Sequence, residues 1–540
     1  MSPLFCDGRQ MDLKVGKSLF DYADQVHVRV PTSCGRNGEC HECIVEVRRG
    51  EDALTRPTTS ETFLKDGFRL ACQAKIRNLD GYIELAVSRR QPQILTHSIK
   101  RAIDLDPLTI RHGEQVRFQG RRIDEYRRNI FGLAIDMGTT TVAMNLVDLE
   151  TGNVVYTTSF ENPQRFGGSD VMNRISYDGG PYRGELRQSI LSAINFEIGD
   201  IVRRLKIHRR LIYEAVVVAN TTIRDLFFGL DVQPIGERPY KSTTELDQEQ
   251  GLIESTSLSV RASEIGLRIN SQANVYGGPL IGCHVGADVA ADMLALSMDE
   301  EDRIVMLVDI GTNTEVVIGN RHKFITASCP AGPAFEGGNI LYGMPGYEGA
   351  VESVKIIGNE VQLKTIGDQV PHGICGSGLV DLLAELRLTG KMDPLGVFVD
   401  GSQEFSFAPE QGMTLSRSDI SILAQAKAAN FCGQFILLRE YDIHPDQVDN
   451  LYLAGAFANY VDTNNAIDIG FVANIPHERI IKAGNASLEG ATIMLLSSNL
   501  RNRIETMARQ IRHVELETTT DFFDIFVEGC MFKPMQAEAL

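Results

Sequence analysis

The sequence predicts a multidomain protein with mixed α/β architecture. Three observations support this class: four cysteines lie close together in a β-rich N-terminal region, a strand–turn–strand pattern occurs twice later in the chain, and segments with helical periodicity follow each occurrence. On this basis we divide the 540 residues into a small domain at 1–88, a linker at 89–130 and two α/β lobes at 131–300 and 301–540.

The N-terminal domain contains a group of cysteines with an informative spacing. Three of them form a C-x5-C-x2-C loop, and the fourth follows 29 residues later: Cys34, Cys40, Cys43 and Cys72. A [2Fe–2S] cluster needs four thiolates on two irons, which one loop and a later strand can supply. Zinc is the alternative metal, but zinc sites usually pair two C-x2-C halves, and only one half is present here. The spacing therefore predicts a [2Fe–2S] cluster.

Short alternating segments at 26–30, 43–47 and 82–87 predict strands around this loop, as in the ferredoxin β-grasp fold. The stretch from 88 to 130 is charged and locally rich in arginine. It predicts a solvated linker that contains a short helix.

The two repeated units begin near 131 and 304, about 170 residues apart. In each unit an apolar strand ends in aspartate and leads into a glycine- and threonine-containing turn. Such a turn lets the backbone approach a phosphate, and an aspartate there can hold Mg²⁺ or orient water. Two structural hairpins are the alternative. The candidates are Asp136 and Asp309 for Mg²⁺ or water, and Gly138, Thr139, Thr140, Gly311, Thr312 and Asn313 for phosphates.

Two later segments extend the nucleotide hypothesis. In 451–466 an apolar strand enters Gly455 and a helix is predicted after it, an arrangement that brings backbone close to adenosine; a plain strand–turn–helix joint is the alternative. In 373–386, Gly376 and Ser377 can set a helix N-terminus against a phosphate, or mark a tight helix–strand contact. The order of two phosphate turns and one adenosine turn resembles the fold shared by actin, sugar kinases and the Hsp70 ATPase.

Composition narrows the classes of partner. The net charge of −18 argues against nucleic acid or an anionic membrane as the main partner. Apolar runs are shorter than a membrane span, and the first residues lack the features of a signal peptide. The remaining cysteines are scattered without a disulfide-framework spacing. We therefore expect a cytoplasmic protein.

Several strings follow one another as in a known family: DMGTTTVA, NPQRFGGSDVMNRI, ANTTI, VGADV, DIGTNTEVV, PAGPAFEGGNI, GICGSG and LAGAFANY. In these strings and in the cysteine loop the chain resembles the reductive activators of corrinoid enzymes. The resemblance implies a ferredoxin domain joined to an ATPase, and the return of an oxidised cob(II)amide centre to cob(I)amide. Members commonly carry an additional middle domain before the ATPase. Because 89–130 is too short for one, we expect a compact version.

The resemblance also implies cofactors and partners: a [2Fe–2S] cluster, Mg-ATP, a corrinoid protein or corrinoid-dependent methyltransferase, an upstream electron donor and a second copy of the chain in a homodimer. The glycine-rich loop at 331–338 either closes on nucleotide, with Glu336 orienting water, or is a connecting loop with a solvated glutamate. Asn162, Gln164 and Asp170 are further polar candidates in the loop after the first lobe's strands.

Three other functions remain open from sequence alone. One is an electron carrier whose nucleotide module is only regulatory. Another is a kinase of the same superfamily with an attached cluster, which would need a pocket for a phosphoryl acceptor. The third is an activator of a radical dehydratase, but such proteins use a [4Fe–4S] cluster shared between subunits and lack a ferredoxin domain.

Overall fold

A computed structural model describes residues 3–6, 9–87, 98–282, 284–455 and 458–536. The N-terminal domain is a five-stranded mixed sheet with strand order β2-β1-β5-β3-β4, in which β1 and β5 are parallel. One helix shares its hydrophobic core. This arrangement confirms the predicted β-grasp domain. Its elements are β1 (Pro3–Cys6), β2 (Arg9–Asp12), α1 (Leu19–Gln25), β3 (Ile44–Arg49), β4 (Phe68–Leu70) and β5 (Ile83–Val87).

The strand predicted at 26–30 is wrong, because helix α1 occupies the preceding residues. Ser18 and Asp21 form a capping box that starts this helix. After Gln25 the chain turns through His27, whose φ is +59°, and enters the cysteine loop. The valines at 26 and 30 are buried as the alternation suggests, but in irregular backbone.

The predicted solvated tether is also wrong over its described part, from 98 to 130. Residues 109–125 form a three-stranded antiparallel sheet rather than a helix: β6 (Thr109–His112), β7 (Gln115–Phe118) and β8 (Arg121–Glu125). Val116 is fully buried in the core of the first lobe, and Thr109 donates a hydrogen bond to Glu214 at 2.7 Å. The arginine-rich composition of this stretch gives no sign of these two buried contacts. The first part of the predicted linker, 89–97, lies outside the described residues.

The first lobe contains a six-stranded sheet with strand order β11-β10-β9-β12-β14-β13. Strands β9 to β11 form an antiparallel meander, and β12 returns parallel to β9. Its elements are β9 (Phe131–Met137), β10 (Thr141–Asp148), β11 (Val154–Glu161), α2 (Val171–Asp178), α3 (Glu185–Leu205), β12 (Ile212–Ala219), α4 (Thr221–Phe228), α5 (Thr243–Glu249), β13 (Leu258–Arg261), α6 (Ala262–Ile265), β14 (Asn274–Gly277) and α7 (Ala287–Ala295).

The second lobe repeats this design around a sheet with strand order β24-β23-β15-β16-β17-β25. Its elements are β15 (Val305–Ile310), β16 (Thr314–Asn320), β17 (Lys323–Cys329), β18 (Ala350–Ile357), β19 (Glu360–Thr365), β20 (Gly373–Ile374), α8 (Gly376–Leu388), β21 (Glu404–Ala408), β22 (Met413–Ser416), α9 (Arg417–Tyr441), β23 (Asn450–Ala454), α10 (Thr463–Asp468), β24 (Ile480–Gly484), α11 (Ala486–Leu496), α12 (Ser498–Ala508), β25 (Arg512–His513) and α13 (Phe522–Gly529).

The internal repeat predicted from sequence is confirmed by this topology. Strands β15 to β17 form a meander and β23 runs parallel to β15, as β12 does to β9. The segments with helical periodicity that follow the two units, at 184–205 and 377–388, correspond to α3 and α8. Each lobe therefore presents the carboxyl end of its first strand, where an aspartate stands, toward the cleft.

The packing of helix α11 does not follow the predicted boundary between 300 and 301. This helix belongs to the second lobe in sequence, but its apolar side chains share a core with α7 and the first-lobe sheet. Gly490 permits the close helix crossing, because a Cβ there would lie 2.0 Å from the carbonyl oxygen of Ala291. A C-terminal helix thus completes the first lobe.

Candidate functional site

A cavity of about 170 Å³ lies between the two lobes. All the candidate residues for nucleotide and for catalysis line it: Asp136, Gly138, Thr139, Thr140, Asp309, Gly311, Thr312, Asn313, Glu336, Gly376, Ser377 and Gly455. These residues come from both strand–turn–strand units and from three later segments. The sequence-predicted set is therefore brought together in space, facing one volume.

The two turns meet across the cavity through a glutamate. The hydroxyl of Thr312 donates a hydrogen bond to Oε2 of Glu336 at 2.8 Å, and the hydroxyl of Thr140 donates to the same oxygen. Glu336 is thus neither remote nor a solvated side chain of a connecting loop. Its carboxylate occupies the position between the turns where donors converge.

Several carboxyl groups lie close together at the base of this cavity. Desolvation, together with the charge of Asp309, raises the pKa of Asp136 to about 7 and that of Asp288 to about 8. Desolvation and the charge of Glu336 likewise raise the pKa of Asp309 to about 6. Burial raises the pKa values of Asp292 and Glu315 well above the ordinary range. Such a group of acids resists full ionisation until positive charge arrives.

These carboxylates do not enclose an ion by themselves. Over the described ranges, no three Cys, His, Asp or Glu side chains are grouped as ligands of a single metal ion. Mg²⁺ typically takes only one or two protein carboxylates and completes its octahedron with water and substrate phosphates. The donor set therefore fits Mg²⁺ that arrives with a phosphate-bearing ligand, held by Asp136 or Asp309.

Both features that the sequence offered as alternatives for 373–386, a helix N-terminus and a tight helix–strand contact, are present in the structure. Helix α8 starts at Gly376, which lines the cavity together with Ser377. Two residues later Gly378 serves packing, because a Cβ there would lie 2.3 Å from the carbonyl oxygen of Val351. One short string thus supplies a helix N-terminus at the cavity and a close helix–strand contact.

Gly455 adopts a φ of +101°, and a Cβ there would lie 2.2 Å from the carbonyl oxygen of Ile310. Only glycine fits this approach of strand β23 to the second phosphate turn. The helix predicted directly after it begins only at Thr463, as α10. Residues 456 and 457 of the LAGAFANY string lie outside the described residues.

Of the three further polar candidates, two adjoin the first turn and one does not. Asn162 donates from Nδ2 to the carbonyl oxygen of Gly138 at 2.9 Å, and Gln164 is fully buried beside it. Asp170 instead caps helix α2, where it accepts a hydrogen bond from the backbone N–H of Asn173 at 2.8 Å.

Sequence analysis assigned no role to several residues that line or adjoin the cavity. Asn220 donates from Nδ2 to the hydroxyl of Thr139 at 3.2 Å, and Asn485 donates to Asp136 at 2.8 Å. Both are helix N-caps, a position their residue type favours, so capping signals could have marked them. Asp288 stands in the first turn of α7, within the string VGADV, and Asp292 follows one helical turn later.

The four candidate cluster ligands lie in one region of the N-terminal domain and form two pairs. The Sγ atoms of Cys43 and Cys72 are 3.4 Å apart. Burial opposes ionisation of Cys34, but hydrogen bonds from the Cys40 thiol and the loop backbone lower its pKa to about 6. The Cys43 thiol lowers the pKa of Cys72 to about 7. Two pairs of thiols match two ligands on each iron of a [2Fe–2S] cluster.

Groups around these thiols support cluster binding. Gly35 and Gly38 have φ values of +68° and +91°, which let the loop curl. The amide Nε2 of Gln73 donates to Sγ of Cys72 at 3.3 Å, a contact of the kind that tunes iron–sulfur sites.

The cysteine loop is docked against the first lobe. Nδ1 of His41 lies 3.1 Å from Oε1 of Glu185, and Gln188 donates to the carbonyl oxygen of Cys40 at 3.1 Å. The His41 ring stacks on Phe63, with ring centroids 4.2 Å apart. The loop and the lobe therefore meet through specific polar and aromatic contacts.

Residues 162–178, here called the bridging segment, contact both sites. On one side Phe166 packs edge-on against Phe63, and the hydroxyl of Tyr177 donates to the carbonyl oxygen of Phe63 at 2.6 Å. On the other side Asn162 reaches Gly138 of the first phosphate turn. One short stretch of chain thus touches the ferredoxin domain and the cavity.

Of the helices in the described ranges, none combines the length and apolar composition that a bilayer-spanning segment needs.

Family models match nearly the whole chain. The 2Fe-2S iron-sulfur cluster binding domain matches 4–77, the RACo middle region matches 131–301, and the C-terminal domain of RACo, the ASKHA domain, matches 303–540. The expectation that this chain lacks a middle domain is wrong, because the family's middle region is the first lobe itself. The family's middle region starts directly after 89–130, at residue 131.

Named relatives have similar lengths. The corrinoid activation enzyme RamQ of Eubacterium limosum is 27% identical over 605 aligned residues, covering 97% of each chain. A [Co(II) methylated amine-specific corrinoid protein] reductase of Methanosarcina barkeri is 24% identical over 430 residues, covering 74% of this chain and 76% of its own. The solved structure of a reductive activator for corrinoid, iron-sulfur protein superposes with a TM-score of 0.72 at 28% identity, covering 100% of this chain and 99% of its own.

Proposed function

The chain belongs to the RACo family, and from this premise we propose that it is an ATP-dependent reductive activator of a corrinoid protein. It passes one electron to Co(II) and regenerates Co(I) for methyl transfer. The observation that carries the proposal is the bridging segment. It contacts both the domain that contains the four cysteines and the first turn of the interlobe cavity.

The electron is supplied from the N-terminal domain. A [2Fe–2S] cluster bound there provides one electron at a time. Its ligands are Cys34, Cys40, Cys43 and Cys72, arranged as two pairs of thiols. Cys34 and Cys40 are partly exposed, whereas Cys43 and Cys72 are buried. The exposed edge of the loop is the shorter route for an electron to a docked partner.

The nucleotide binds as Mg-ATP between the lobes. The turns at 138–140 and 311–313 offer N–H and hydroxyl donors to its phosphates, and the start of helix α8 adds a third N–H-rich surface. Asp136 and Asp309 hold Mg²⁺ directly or through water. Glu336, already a hydrogen-bond acceptor at the meeting point of the two turns, orients the attacking water.

ATP is needed because the electron transfer is uphill. A plant-type [2Fe–2S] ferredoxin has a potential of about −400 mV, and the Co(II)/Co(I) couple lies below it. Binding and hydrolysis between two hinged lobes can change the docked complex, for example through the axial ligation of cobalt. Because both lobes line the cavity, a bound nucleotide contacts both and can change their relative position.

The partners follow from the same premise. The corrinoid partner is a corrinoid protein or a corrinoid-dependent methyltransferase, an upstream donor reduces the cluster, and two copies of the chain form a homodimer. The net charge of −18 favours docking on a protein with a basic face over nucleic acid. The cysteines of the described ranges are not joined by disulfides, which fits a reducing, cytoplasmic location.

An anaerobic optical assay tests the proposal. Reduced holoprotein is mixed with a corrinoid protein in the Co(II) state, with and without Mg-ATP, and the Co(I) absorption band is followed. We expect rapid formation of Co(I) that requires ATP, is lost in Asp309→Asn and persists in Asp400→Asn, a matched change at a surface carboxylate.

Two outcomes contradict this function. Equal rates with and without ATP would identify an electron carrier with a regulatory nucleotide module. Absence of Co(I) across a panel of corrinoid proteins, from demethylase systems, corrinoid iron–sulfur proteins and methionine synthases, would exclude corrinoid reduction altogether.

A further inference from the structure

Arg174, in helix α2, is fully buried and contacts the first phosphate turn from behind. Its Nη2 donates to the carbonyl oxygen of Thr139 at 2.6 Å. Its Nε donates to the carbonyl oxygen of Gly168 at 3.0 Å, and its Nη1 to Oε1 of Gln164 at 3.3 Å. All three partners are uncharged oxygen atoms.

This setting differs from that of the other buried arginines in the described chain. Each of those contacts a carboxylate: Arg69 with Glu61, Arg224 with Asp225 and Arg501 with Glu214. An isolated buried charge is costly unless a counter-charge compensates it. Burial and the charge of neighbouring Arg165 lower the pKa of Arg174 to about 9, so the guanidinium still carries its positive charge at neutral pH. The charges of Asp170 and Glu336 oppose this lowering of the pKa, but the guanidinium donates its hydrogen bonds to neutral oxygen atoms. A positive charge therefore lies behind the turn.

The bridging segment also fixes the direction of the turn's backbone. Asn162 donates hydrogen bonds to two carbonyl oxygens of the turn: its Nδ2 donates to that of Gly138 at 2.9 Å, and its backbone N–H donates to that of Thr140 at 2.7 Å. Arg174 takes the carbonyl between them. Because a trans peptide points its N–H opposite to its C=O, the N–H groups of Thr139 and Thr140 face away from the segment. Successive N–H groups presented in this way bind phosphate oxygens.

We propose that Arg174 is a positioning residue for the triphosphate, holding the first turn in its phosphate-binding form and placing a positive charge behind it. The inference rests on nucleotide binding as proposed above and goes beyond it by assigning the counter-charge. Under this proposal Arg174 affects binding of the phosphates but not of the adenosine. It acts through the 138–140 turn, whereas Gly455 and its surroundings lie in the other lobe.

Titration calorimetry of the holoprotein with Mg-ATP and, separately, with adenosine tests this assignment. In Arg174→Gln we expect Mg-ATP affinity to fall about ten-fold, because the turn loses a hydrogen bond from a charged donor, the guanidinium. Adenosine affinity should be unchanged. Arg174→Lys keeps the charge but not the planar fork, so a loss of about three-fold is expected. Arg183→Gln removes the same charge from the exposed surface of this lobe and serves as the control.

Far-ultraviolet circular dichroism and the Tm report whether each variant is folded, because the cluster spectrum reports only on the N-terminal domain. If Arg174→Gln does not fold, Arg174→Lys carries the same comparison of ATP with adenosine. Mg-ATP affinity within two-fold of the wild type in the folded variants would overturn the assignment, as would equal losses for ATP and adenosine. Failure of the wild-type protein to bind Mg-ATP would instead overturn the proposed function, and this inference with it.

Discussion

The hydroxyl oxygens of Thr140 and Thr312 lie 3.4 Å apart, although the residues belong to different lobes and are 172 positions apart in sequence. At this distance the two phosphate turns share one hydrogen-bond acceptor, the carboxylate of Glu336. A nucleotide phosphate entering the cavity must compete for these hydroxyls.

We expect Glu336→Gln to affect hydrolysis more than binding. A carboxylate that orients or deprotonates water contributes about 10²- to 10⁴-fold to a rate, whereas the amide keeps its size and its oxygen can still accept hydrogen bonds from both hydroxyls. Single-turnover ATP hydrolysis should slow by that order with the Kd for Mg-ATP changed less than about three-fold. An equal loss in affinity and rate would show that Glu336 only holds the lobes together.

The raised pKa of Asp136 predicts a pH-dependent stability of the nucleotide-free protein. Its carboxyl has a pKa of about 7 when folded against an ordinary value of 3.8, so between these values the folded state binds more protons than the unfolded state. Stability from this group is present at low pH and is lost as pH rises from about 4 to 7. In Asp136→Asn that loss disappears.

The measurement for this second prediction is the Tm at pH 5 and pH 8 without nucleotide. Relative to wild type, Asp136→Asn should raise the Tm more at pH 8 than at pH 5, because the loss in wild type is only partly complete at pH 5, and it should weaken stabilisation by Mg-ATP. Asp400→Asn, at an exposed position, is the matched control. An Asp136→Asn variant with the wild-type pH profile would show that this carboxyl ionises normally.

Docking of the cysteine loop depends on Phe166, which is fully buried between Phe63 and Tyr177. Truncation to alanine should cost about 3–5 kcal/mol, because it opens a cavity at the interface. Hydrogen exchange should accelerate in residues 38–43, while the visible spectrum of the cluster is retained. Phe166→Leu, which keeps most of the volume, should show a smaller effect; no change in exchange would mean that the loop is held by its polar contacts alone.

The cysteine assignment predicts which thiols iron requires. Cys34→Ser and Cys72→Ser should each lower the iron content below two per chain and remove or alter the [2Fe–2S] absorption and EPR signals. Cys530→Ser changes a partly exposed thiol of the second lobe and should leave both unchanged. Full iron content in either ligand variant would place a different residue at the cluster.

The sequence determined much of this protein by local chemistry. Cysteine spacing identified the metal domain, and the repeated strand–Asp–turn units identified two lobes with Asp136 and Asp309 at matching strand ends. These signals are readable because a cluster loop or a phosphate turn requires particular residues within a few positions of one another. Where composition was the only guide, as in the arginine-rich stretch before 130, the expectation of a tether failed, since Thr109 and Val116 are buried against the first lobe.

Only the tertiary structure decided which groups share an environment. Glu336 reaches both turns, Asn485 reaches Asp136 from 349 residues away, and Arg174 donates to the carbonyl oxygen of Thr139. Neither periodicity nor spacing encodes such relationships, because they arise when separate elements pack and exclude water together. Desolvation in that shared volume, rather than the identity of any one residue, raises the pKa values of the cavity acids and lowers the pKa of the buried guanidinium.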